Sequence, residues 1–239
     1  MKRFLRRSAR VGAILWLALA LSGVLIYLYQ TYSVKNVVVI SNDGNQSHLV
    51  GLSELYGANL LILNEKQLEK DLMGKNPALN SIAVNRVYPA TLQLRVSLRK
   101  PIVALQASDE GVFILDHEGV ILLRLQKYTG PLPILKYYQT FPYKQYQVGD
   151  KIDYKDVMTA LYFTDALSGF GYPAKRIDID GLYMIRLLVI DNKTFFATSE
   201  KDREIQLYQL KELLRQFKLQ GKDFKTIDLR FDKPVITIK

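Results

Sequence analysis

Between Val84 and Leu105 the chain reads VNRVYPATLQLRVSLRKPIVAL, and no other stretch limits the fold as tightly. Leu92, Leu94, Val96 and Leu98 alternate with Gln93, Arg95, Ser97 and Arg99, which gives a strand with one apolar and one wet face. Tyr88-Pro89-Ala90-Thr91 supplies a turn before it, with Pro89 pre-setting φ at the second position. Pro101 cannot donate to a ladder and marks where the chain leaves the sheet. A hairpin of this kind needs a cover for its apolar face.

The segments before it provide one. SVKNVVVISN (33–42) is a β-branched strand running into a turn at Asn42-Asp43-Gly44. SHLVGLSELYG and NEKQLEKDLMGKNP are expected as two short helices. In the second, Asn64 caps the start, Leu68, Leu72 and Met73 keep helical spacing, and Gly74 and Pro77 stop it. The expected order over residues 33–100 is therefore strand, helix, helix, strand, strand. From 101 to 239 the pattern is mostly strand. PIVALQ and GVFILDHEGVILL flank a turn at Asp116-His117-Glu118-Gly119, and 131–150, with Pro131, Pro133 and Pro142, is expected as irregular connection. A helix ending near Gly169 and a longer one over EKDREIQLYQLKELLRQF interrupt the strands; the longer one carries Ile205, Leu210, Leu213, Leu214 and Phe217 on one stripe. TIDLRFDKPVITIK closes the pattern with two short strands, the last of them (234–238) expected to present an open edge. The fold class is α+β.

Residues 11–32 carry no charge, and ten of them are Val, Ile or Leu. At a rise of 1.5 Å per residue they would make about 33 Å of helix, against a hydrocarbon core of about 30 Å. They are expected as a single transmembrane helix, with Trp16, Tyr27 and Tyr29 as interfacial anchors. Ala18-Leu19-Ala20 has the form of a signal-peptide cleavage site, but the apolar run continues well past it. Lys2, Arg3, Arg6, Arg7 and Arg10 place residues 1–10 in the cytoplasm and the rest outside, as in a single-pass type II membrane protein.

Those five cations also supply half of the net charge of +10, and the remaining +5 is spread over more than two hundred residues. Nucleic-acid binding is therefore not expected. With no cysteine, disulfides and Cys-type zinc sites are excluded. His48 and His117 have no ligand at metal spacing. Gly74-Lys75 and Gly221-Lys222 lack the upstream glycine of a phosphate loop, and DIDG at 178–181 is half a calcium loop. Asp150, Asp153 and Asp156 lead into a helix as capping and dipole residues. No enzyme, cofactor, metal or small-molecule substrate is expected.

Taken together, the basic tail, the strand-helix-helix-strand-strand unit and the β-rich remainder resemble the bacterial division protein family FtsQ/DivIB. VNRVYPATLQLRVSLRKPIVAL is similar to its apolar-Arg-aromatic-Pro turn, alternating strand and Pro-Ile/Val-Ala exit, and IDLRFD (227–232) to its Val/Ile-Asp-Leu-Arg-aromatic segment. FILDHEGVIL and PLPIL fall between them in the family's order, whereas Leu98 stands where the family often has Glu. The resemblance implies a POTRA domain over 33–100 and an FtsQ/DivIB-type β domain over 101–239. It also implies a non-enzymatic bitopic scaffold at the division septum that binds FtsB/FtsL-like proteins and other divisome components. Leu229, Arg230 and Phe231 fall on its partner-binding residues, with Val235, Ile236, Thr237 and Ile238 as the added-strand edge. The alternative reading is a POTRA-bearing membrane-anchored export or envelope-assembly factor.

Overall fold

The computed structural model describes residues 2–41, 49–107 and 111–238, with side chains from Leu15 onward. The turn expected at Asn42-Asp43-Gly44, and His48, lie outside the described residues. Among the described residues the chain is α+β, with four α-helices and two sheets. It divides into two units, Met1–Leu98 and Arg99–Lys239.

In the first unit, α1 (Lys2–Thr31) precedes β1 (Asn36–Ser41), α2 (Glu65–Lys75), β2 (Leu79–Val87) and β3 (Thr91–Leu98). The three strands lie in the order β1-β3-β2, with β1 parallel and β2 antiparallel to β3. Alternation on β3 is clear: Leu92, Leu94 and Val96 are buried and Arg95 is exposed. Leu94 sits opposite both Val39 and Val84, so each neighbour adds an apolar residue at its level. Burial of such a side chain stabilises by about 1.5–3 kcal/mol. On the other side of this core, α2 contributes Leu72, and the Asn64 side chain accepts from the Gln67 N–H to cap it.

Two expectations for this unit are corrected. The first of the two helices is only a 3₁₀ turn, Leu52–Leu55. Gly51 at φ 96° and Gly57 at φ 83° bracket it in left-handed backbone, which an α-helix cannot continue through. One α-helix and this turn therefore cover the sheet in place of two helices. The second correction concerns the membrane span. α1 runs from Lys2 to Thr31, but no helix among the described residues is long and apolar enough to cross a membrane. The single-pass membrane assignment and the type II location are therefore overturned. Trp16, Tyr27 and Tyr29 are exposed side chains of α1.

The second unit contains β4 (Val103–Gln106), β5 (Val112–Leu115), β6 (Ile121–Leu125), β7 (Ile134–Tyr137), α3 (Lys155–Gly169), β8 (Ala174–Gly181), β9 (Met184–Val189), β10 (Thr194–Ala197), α4 (Arg203–Gln220), β11 (Phe224–Asp228) and β12 (Val235–Ile238). All eleven elements except α3 and α4 join one sheet, in the order β12-β11-β10-β9-β8-β7-β4-β5-β6. Leu105, Phe113, Leu135, Ile177, Leu187, Phe195 and Ile227 meet Val157, Leu161 and Leu210 of the helices in one core.

Here, too, the structure departs from the sequence pattern. The stretch expected as irregular connection contains β7, which pairs in parallel with β4 on one side and β8 on the other. Pro133 sits just before the strand and its carbonyl accepts from the Ala104 N–H, so the proline flanks the ladder rather than blocking it. On α4, Ile205 is 60% exposed and Gln206 is fully buried. The Gln206 amide accepts from the Thr198 N–H and donates to the Thr198 carbonyl, closing both backbone groups after β10. Of the three aspartates, Asp150 and Asp153 precede α3 and Asp156 lies in its first turn, where a carboxylate suits the helix dipole; the residue at the cap position is Tyr154, and no side chain caps the helix. Asp150 accepts from the Gln147 N–H, Asp153 pairs with Lys151 and Asp156 accepts from the buried Ser199 hydroxyl.

Candidate partner-binding edge

A sheet has two ends, and these two are treated differently. At the β6 end the neighbouring chain folds back along the strand: Ile121 donates to Asp150, Gly149 donates to Ile121, and Ile152 donates to Gly119. Arg124 bonds the Tyr143 carbonyl and lies over its ring at 4.4 Å. At the other end β12 is antiparallel to β11, and among the described residues no strand pairs with its outer side. Unpaired N–H and C=O groups along a strand are a template for an added one.

Several apolar side chains around this edge are exposed. Phe231 is 52% exposed, Val235 53% and Ile238 60%. Ile236 alternates inward and packs against the core, and Thr237 is exposed. The turn before β12 is held in place, since the Gln209 amide donates to the Asp232 carbonyl and Lys201 pairs with Asp232 at 2.9 Å. Those contacts bring the turn to α4, whose Ile205 and Tyr208 are also exposed.

The residues singled out in the sequence do not form one group. Leu229 is fully buried, and its N–H donates to the Phe196 carbonyl, so it anchors the segment from inside. Arg230 is held by its neighbour: Nε and Nη2 donate to the Asp228 carboxylate, the shortest at 2.6 Å, and the guanidinium lies 4.9 Å above the Phe196 ring. Hydrogen bonding to Asp228 raises its pKa, so its charge is fixed. Phe231, Val235, Thr237 and Ile238 are the members that reach the surface. The exposed α4 residues were hidden from sequence reasoning because Ile205 had been given to the buried stripe.

Among the described residues no group of three His, Asp or Glu side chains could hold a metal ion. His117 is exposed in its turn, and Asp178 of the DIDG stretch is taken by Arg176 and Arg186. No family model matches the chain, and no curated protein matches it in sequence.

Proposed function

We propose that the chain is a non-enzymatic scaffold of the bacterial division machinery that takes an added strand from an FtsB/FtsL-like partner at the outer edge of β12. In that role it would link early division components with septal peptidoglycan synthesis. The observation that carries the reading is the outer edge of β12, with which no strand pairs among the described residues, flanked by exposed Phe231, Val235 and Ile238. The two motifs similar to the FtsQ/DivIB family support the same partner class, and the second of them leads directly into this edge. The proposal rests on the second unit and includes no membrane span.

The division of labour follows from the geometry. Main-chain groups of β12 supply register, and Phe231 supplies the aromatic anchor that dominates such interfaces. Calorimetric titration of an FtsB-like protein into the chain tests it. Phe231→Ala should weaken binding by about 2 kcal/mol or more, while its exposed ring leaves the melting temperature nearly unchanged. Unchanged affinity both in that variant and in a truncation after Lys233 would place the site elsewhere.

A further inference from the structure

A second concave surface lies in the same unit, where the C-terminal half of α4 passes over the start of β11. It encloses a cavity of about 450 Å³. Its floor is apolar, made by Phe170, Leu214, Phe217 and Phe224. Its rim is basic: Lys211, Arg215, Lys218 and Lys222 follow one another at steps of four, three and four residues, so they share one face of the helix and its cap. Arg215 pairs with Glu212, and Asp223, the one carboxylate lining the groove among the described residues, pairs with Lys193 at 2.6 Å. Lys211, Lys218 and Lys222 have no acidic partner among the described residues and are exposed. Cations near a helix C-terminus gain from the helix dipole, which accounts for Lys218 but not for a cavity beneath the row.

We propose that this groove binds a short acidic peptide segment carrying a leucine or phenylalanine beside two or more carboxylates. The stripe from Lys211 to Lys218 is about 10 Å long, and Lys222 extends it past the Gly221 cap. One phosphate cannot meet that length, whereas carboxylates spaced along an extended peptide can. Nucleic acid is disfavoured by the floor. Lys193 already lies over the rings of Tyr172 and Phe224, at 5.2 and 4.5 Å, and Phe224 is almost wholly buried, so two of the groove's four rings are closed to a stacking base. An inserted aliphatic or aromatic side chain needs only the apolar floor. The groove shares no lining residue with the β12 edge and does not rest on the reading given to it.

The test is fluorescence anisotropy of a labelled Asp-Glu-Phe-Leu-Glu-Asp peptide with the full chain. Saturable binding is expected, weakening as salt is raised. The double variant Lys211→Glu, Lys218→Glu should lower affinity about tenfold or more, and so should serine in place of both apolar peptide residues. The two lysines are exposed, and an unchanged melting curve would show that the variant is folded. Absence of saturable binding at millimolar protein, equal binding by the charge-reversed variant, or displacement of the peptide by oligothymidylate at lower concentration would each overturn the proposal.

Discussion

Gln206 is the residue where one-dimensional pattern and three-dimensional need diverge most. A polar side chain between Ile205 and Leu207 looks like the solvent side of an amphipathic helix, yet it is fully buried and Ile205 is exposed. The backbone around Thr198 leaves the sheet inside the unit, so its N–H and carbonyl need a partner, and one amide side chain satisfies both. Gln206→Ala should therefore cost about 2–3 kcal/mol, because two buried backbone groups lose their partners at once. Gln206→Glu should cost at least as much, since a carboxylate accepts but cannot donate to the carbonyl. Denaturant melts of the two variants decide it, and a loss below half a kcal/mol in Gln206→Ala would show that water replaces the amide. Asp156, in the first turn of α3, is buried and accepts from the Ser199 hydroxyl, a tertiary contact between side chains that periodicity does not show either. Single residues whose role is to satisfy a backbone group elsewhere leave no periodic trace.

At the scale of elements, what could be read from the sequence depends on where the cause of the structure lies. β3 could be read from its own residues because its alternation is local: a strand with one dry face must place Leu92, Leu94 and Val96 together. Leu94→Asp should destabilise the first unit by several kcal/mol, by burying a carboxylate among apolar neighbours. Arg95→Asp, one residue on and on the opposite face, should change stability by about half a kcal/mol or less. Equal loss of melting temperature in the two would mean that the faces are not distinct. The 3₁₀ turn at Leu52–Leu55 was misread because apolar spacing alone does not show that Gly51 and Gly57 adopt positive φ. The β12 edge was legible as a strand, and its neighbours on α4 were not, because their exposure is set by how α4 packs. The basic groove was equally hidden: its rim lies on one helix, but its floor comes from α3, α4 and β11 together.

For the second unit as a whole, the continuity of nine strands depends on the element least visible in the sequence. β7 is four residues long, flanked by prolines, and lies between β4 and β8. Without it the β4–β6 meander and the β8–β12 half would be two sheets with exposed edges. Both of its ladders are parallel, and parallel pairing brings together segments far apart in sequence, which no local pattern announces. Of its side chains only Leu135 is fully buried, and it stands opposite Leu105 and Ile177, themselves fully buried. Leu135→Ala would leave a cavity where β4, β7 and β8 meet, at a cost of about 2–5 kcal/mol. The more telling readout is amide hydrogen exchange. If β7 holds the halves together, Leu135→Ala should raise exchange in β4 and β8 at once, because each loses the strand that completes its ladder. Faster exchange confined to β7, with β4 and β8 still protected as before, would show that the halves are held together by α3 and α4 across the face of the sheet and that β7 only fills the gap between them.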